Sequence, residues 1–178
     1  MQAEQLRAMQ APLKSRYREN PDSAVVTMTA TGKLDPERIT CHVGTHTGVA
    51  AAGLHAAAGG NGMEACSGDM LLQALAACAG VTLRAVATAM GIEIRGGNVV
   101  AEGDLDFRGT LGVDKTAPIG FRDIRLRFEI DTPAAEDQLA TLLKLTERYC
   151  VVYQTLRHAP EIEVSHHATQ QEAGYTAG

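Results

Sequence analysis

The chain has 178 residues, 45% of them hydrophobic and 21% charged, with a net charge of −5. That is long enough for one domain with a real core, and too apolar for a disordered chain. No dense Lys/Arg stripe accompanies the negative charge, so nucleic acid is not an expected partner.

Residues 1–22 are polar, mixed in charge and closed by the turn signal Asn20-Pro21-Asp22, which predicts a short helix or a frayed arm. The opening Met1 to Arg7 has no apolar signal core, so a cytoplasmic protein is expected. Ala24 to Thr31, rich in Val and Thr, reads as a strand. Gly32 to Pro36 reads as a turn. Ile39 to Gly44 is a second strand, and Val49 to Leu54 a weaker third, since its alanines favour helix. Ala58 to Gly62 is a flexible loop. Ser67-Gly68-Asp69 then starts a helix, with Ser67 or Asp69 as its cap.

That helix runs to about Met90 and stops at Gly91. It is apolar nearly all round, which predicts a central position with cover on several sides. Gln73, Thr82, Arg84 and Thr88 interrupt it, so it reads as a core helix, with no membrane as partner. Next, Val99, Ala101, Gly103, Leu105 and Phe107 alternate with acidic residues. Ile124, Leu126, Phe128 and Ile130 alternate with Arg125, Arg127 and Glu129. Both runs predict half-buried strands, antiparallel neighbours across the loop from Arg108 to Gly120. Thr132-Pro133 opens a second helix. Its stripe of Leu139, Leu142, Leu143, Tyr149, Cys150, Tyr153 and Leu156 puts Cys150 on the buried face. His158-Ala159-Pro160 ends it, Glu161 to Val164 is a last strand, and His166 to Gly178 is expected to be a disordered tail. The order of elements predicts an α+β fold with mostly antiparallel strands, in a single domain over residues 23–165.

The four cysteines, Cys41, Cys66, Cys78 and Cys150, are too few for a stapled scaffold. In a reducing compartment they serve packing or redox chemistry. Taken singly, a buried helical cysteine is a small core hydrophobe. As a pair on buried helical faces, Cys78 and Cys150 can meet, take an oxygen atom from a peroxide and close to a disulfide. A thiolate in such a place needs a cation or hydrogen-bond donors. Arg148 points away from Cys150 and Arg84 is badly spaced from Cys78, which leaves Lys33, Arg38 and His55. Cys66, at the mouth of the first long helix, is a second candidate for reactivity. Cys41 and His42 have ligand chemistry but fall on opposite faces of a strand, so no metal site is expected. The His166-His167 pair reads as solvated surface. The glycines from Gly109 to Lys115 lack phosphate-loop spacing, and no cofactor is indicated.

The run Asp69 to Cys78 with Thr82 and Leu83, and the run Arg148 to Leu156, together resemble the two cysteine motifs of the OsmC/Ohr family, the osmotically induced and organic hydroperoxide resistance proteins. The resemblance extends from about residue 24 to 165. It implies an OsmC-like fold, with mostly antiparallel sheets wrapped around long central helices in an intertwined homodimer. It also implies thiol-dependent reduction of organic hydroperoxides and hydrogen peroxide in oxidative-stress defence. Cys78 would be the peroxidatic cysteine and Cys150 the resolving one, with a dithiol reductant reopening their disulfide. Asp69 would be the carboxylate that orients a cationic partner. That cation is His55, Lys33 or Arg38 on this resemblance, and a histidine is charged only near or below its pKa. The family often carries Glu at the position of Asp69 and proline at that of Val151. These departures keep a second reading open: the same fold as a non-catalytic module for a small hydrophobic ligand, or as a redox sensor.

Overall fold

The computed structural model describes residues 1–168, so 169–178 of the expected tail lie outside the described residues, and His166 to Ala168 carry no regular element. The N-terminal segment is a full helix, α1 (Ala3–Glu19). Gln5 secures its start by accepting the Gln2 N–H at 2.9 Å, and Pro21 disfavours helical backbone at Asn20. Its partly covered residues Ala3, Leu6, Gln10 and Tyr17 form a thin stripe.

The strand expected over Ala24 to Thr31 does not form. Pro21–Ala24 is a 3-10 turn, and Val25 to Thr31 has no ladder partner. Pleat-favouring residues make a strand only when their N–H and C=O groups find an edge to pair with, and among the described residues these find none. Pairing begins at β1 (Gly32–Leu34), which runs antiparallel to β2 (Thr40–Thr45); β2 runs antiparallel to β3 (Gly48–Gly53), and β3 parallel to β4 (Ala65–Cys66). The turn expected from Gly32 sits later, at Asp35, whose carboxylate accepts the N–H groups of Glu37 and Arg38, both at 2.9 Å. That frees Gly32 to Leu34 to join the ladder.

The central helix, α2 (Ser67–Met90), has Cys66 at its cap position, not Ser67 or Asp69. The pairing of Gly53 with Cys66 holds the chain extended up to that residue. Gly91, at φ 70°, ends the helix as expected, its N–H bonding the Ala87 carbonyl. The buried face is one line, Leu75, Ala79, Leu83 and Ala87, the i, i+4 spacing of a single stripe. Cover on several sides is therefore not met within one chain. α2 has the length and composition to cross a membrane, yet only 22% of its most apolar stretch is buried here, and Val81 is 73% exposed.

β5 (Gly96–Leu105) and β6 (Phe121–Asp131) pair antiparallel, as the alternation predicts. Gly103 admits the Phe121 ring, since a Cβ there would lie 2.6 Å from it. Arg122 has no opposite number, because Asp104 faces Asp123 and Leu105 faces Phe121, a β-bulge. The connecting loop includes a short helix, α3 (Phe107–Thr110).

The last expected helix is in fact two, α4 (Glu136–Tyr149) and α5 (Val151–Arg157), separated at Cys150 by extended backbone (φ −75°, ψ 109°). α4 also starts later than Thr132-Pro133, because the Thr132 hydroxyl donates to the Glu93 carbonyl at 2.6 Å and ties that residue to the α2–β5 connection. Leu83 and Ala87 of α2 pack on Leu142 of α4, with Phe128 and Ile130 of β6 against them. Glu161 to Val164 forms no strand, for the same lack of an edge as Val25 to Thr31. The result is α+β: two small sheets, with α2 between β5 and the α4–α5 pair.

Candidate functional site

The break at Cys150 builds the site. The carbonyl of Cys150 accepts the first bond of α5, from Gln154 N–H at 2.9 Å, so the amides of Val151, Val152 and Tyr153 have no partner inside that helix. Cys150 is only 1% exposed. Cys78, on α2, lies near it, and each thiol shifts the proton affinity of the other.

The two sulfurs are not equivalent. Burial pushes the Cys78 thiol up, but the Val152 amide, the Cys150 thiol, the Val151 amide and the Thr82 hydroxyl all favour its thiolate, and the net direction is down. Burial also pushes the Cys150 thiol up; the Tyr153 amide opposes this, the neighbouring Cys78 adds to it, and the net direction is up. Cys78 is thus the better anion and Cys150 the better proton holder. The groups that act most strongly on Cys78 are amides, a thiol and a hydroxyl, with no cation among them.

The other residues singled out from sequence fall elsewhere. Asp69 precedes Cys78 by nine positions on the same helix, about 13 Å along its axis. There it lines a small cavity of about 130 Å³ with His55, Cys66 and Phe107. His55 stacks on Phe107 at 5.0 Å and accepts the Ala57 N–H through Nδ1 at 3.0 Å. That bond leaves the neutral ring its proton on Nε2. Arg38 pairs with Asp35 and Glu64, and Lys33 is exposed on β1. The structure therefore brings Cys78 and Cys150 together, groups Asp69 with His55 and Cys66, and shows none of Lys33, Arg38 and His55 among the groups that act most strongly on Cys78. Cys41 stays on β2, while the adjacent His42 bonds Asp35 at 3.3 Å. Among the described residues, no cluster of His, Cys, Asp or Glu is placed to hold a metal.

Sequence reasoning missed the Val151 and Val152 amides because it drew one unbroken helix through Cys150. Two consecutive β-branched residues directly after a cysteine were the available signal, since they weaken helix at that point.

Comparison with known proteins agrees with this architecture. A family model described as OsmC-like protein matches residues 59–165. Among solved structures, an OsmC-like protein from Mycoplasma pneumoniae superposes with a TM-score of 0.62 at 20% identity, covering 75% of this chain and 89% of that one. An organic hydroperoxide resistance protein, OsmC, from Legionella pneumophila gives 0.57 at 20% identity, over 75% and 93% of the two chains. An OsmC-like protein of unknown function from Vibrio cholerae gives 0.59 at 11% identity, over 74% and 94%. At such identities the likeness is one of fold. No protein of curated function matches the sequence.

Proposed function

This chain belongs to the OsmC-like family, and from that premise we propose that it reduces hydroperoxides through Cys78 and Cys150. The observation that carries this is the asymmetric thiol pair: Cys78, favoured as thiolate by the Val151 and Val152 amides, against a buried Cys150 that keeps its proton. The Cys78 thiolate attacks the outer peroxide oxygen. The O–O bond breaks, leaving a sulfenic acid on Cys78 and an alkoxide that takes a proton to leave as an alcohol, or as water from hydrogen peroxide. Cys150 sulfur then displaces hydroxide from that sulfenic acid, forming the disulfide and water. An external dithiol reduces the disulfide by two exchanges and is itself oxidised. The cytoplasm is the compartment where such reductants act.

A homodimer completes the proposal. The apolar face of α2, the unpaired Val25 to Thr31 and the unpaired Glu161 to Val164 are all left uncovered by one chain. A second copy would cover them, and would be needed if Asp69 and His55 are to reach a Cys78 at all. A non-catalytic binding module stands as the second reading, favoured because no cation is among the groups that act most strongly on Cys78.

The test is consumption of cumene hydroperoxide and of hydrogen peroxide, with a dithiol, by the native protein and by Cys78→Ser. Loss of turnover in the variant, with a Cys78–Cys150 disulfide in the peroxide-treated native protein, is the expected result. Equal turnover in Cys78→Ser ends the proposal.

A further inference from the structure

Gly80 stands in the middle of α2, where glycine is destabilising relative to alanine. Packing within this chain does not ask for it. A Cβ built at Gly80 would meet only the Val99 methyl of β5, at 3.6 Å, an ordinary contact. Gly96, at the start of β5, is equally unconstrained, since a Cβ there would meet nothing within 4 Å. Gly97 differs: its φ of 147° and the Glu129 carbonyl beside it require glycine. All three line one cleft of about 320 Å³ between α2 and the start of β5, inside the range of roughly 300–1,000 Å³ usual for small-molecule sites. Bare backbone on α2 and on β5 therefore borders the same space, a slot shaped for a flat body.

The rest of the cleft supplies apolar walls and one open cation. Leu83, Ile94, Val99 and Ile130 line it, as does Arg84, one turn beyond Gly80. Arg84 Nη1 donates to the Ile94 carbonyl at 2.6 Å, which fixes the guanidinium. Its other donors have no partner among the described residues, so the Nε–Nη2 edge is open, and such an edge takes a carboxylate in two parallel bonds. The other charged residues at the cleft are engaged. Arg95 donates to Asp131 through Nε at 2.9 Å and Nη2 at 2.6 Å, and Glu129 accepts from Arg127 at 3.1 Å.

We infer that this cleft binds a small planar carboxylate, its head on Arg84 and its ring against the backbone of Gly80, Gly96 and Gly97. One open guanidinium matches one negative charge, and glycine backbone lets a flat ring approach where any side chain would hold it off. The site is separate from the thiols. Gly80 and Cys78 are two positions apart on α2, about 200° around the helix, so the binding does not rest on the proposed peroxide chemistry.

The experiment is titration of the full chain, in its solution assembly, with benzoate and with benzamide, a neutral molecule of nearly the same shape, followed by amide chemical shifts. The shifts centre on Gly80, Gly96 and Gly97, and benzoate binds about tenfold more tightly, the scale of a charge-assisted contact. Arg84→Gln removes that difference. Gly80→Ala raises the melting temperature by about 2–4 °C, because helix propensity is gained and no packing is lost. Gly80→Leu fills the slot and abolishes binding of both compounds in a protein that still melts cooperatively. Equal affinity for the two, unaltered benzoate binding in Arg84→Gln or in Gly80→Leu, or no binding of either, each overturns the inference. A lowered melting temperature in Gly80→Ala overturns it too, since the bare helix would then serve contact with a second copy.

Discussion

Val151→Pro tests whether backbone amides hold the Cys78 thiolate. The change deletes one of the two backbone amides that favour the Cys78 thiolate and little else. Val151 is the first residue of α5, where proline is tolerated because that N–H bonds nothing in the helix. Cys150 already has the extended backbone, φ −75° and ψ 109°, that a residue before proline adopts. The Val151 side chain is 71% exposed, so little burial is lost. Restriction of the unfolded chain adds about 0.4–1 kcal/mol of stability at such a site, and the melting temperature should hold or rise. At the sulfur the expectation is opposite. A hydrogen bond to a charged group contributes about 1.5–3 kcal/mol, and Val151 is the weaker of the two amides, so the lower end applies. The thiolate population at a fixed pH below the Cys78 midpoint should then fall roughly tenfold. The assay is the rate of iodoacetamide alkylation across pH, in a background with Cys41, Cys66 and Cys150 all changed to Ser so that Cys78 is the one thiol read. An alkylation profile unchanged by proline, in a protein that melts normally, would refute the amide account.

Three further outcomes follow from the geometry. Leu142→Ala, at a fully buried side chain packed on Leu83 and Ala87, should cost about 2–5 kcal/mol in denaturant unfolding. The Asp35 carboxyl is held at about 2 by the Glu37 and Arg38 amides and by His42. A lowered folded-state value contributes stability that is present above the usual carboxylate range and lost as pH falls through that of the folded protein. Unfolding followed from pH 4 to 2 should therefore show an acid limb that Asp35→Ala reduces. Val81→Glu, on the uncovered face of α2, should leave the chain monomeric by light scattering if that face is the seat of the proposed second copy, and an unchanged dimer mass would place the interface elsewhere.

What was legible in the sequence divides by the range of the forces involved. The β5–β6 pair was read from alternation, and α2 from its apolar run and Gly91, because local pattern decides those elements. The strands expected at Val25 to Thr31 and Glu161 to Val164 failed because pairing is not local: β-propensity offers a strand, and only an edge accepts it. Cys150 was correctly placed in the interior, yet its setting was misread. A helical stripe gives the direction of a side chain but not a break in the helix that carries it. The resemblance pairs Asp69 with a cation that His55 could supply, and the two do share a cavity with Cys66; that Asp69 stands about 13 Å along α2 from Cys78 was hidden, since the resemblance supplies roles without distances.

The break at Cys150 also supports the proposed roles of the pair. An unbroken helix through residue 150 would bond the Val151 and Val152 amides to carbonyls one turn back, leaving Cys78 to face apolar burial alone, which disfavours the thiolate. Ending α4 at Tyr149 and restarting at Val151 turns those amides on Cys78. The same break buries the Cys150 sulfur, 1% exposed, beside the nascent anion, which raises its proton affinity. One change of backbone direction thus sets both thiols in opposite senses, and that asymmetry is what an attacking and a resolving cysteine require. Fixed amides suit this role because, unlike a histidine, they donate equally at every pH at which the protein is folded.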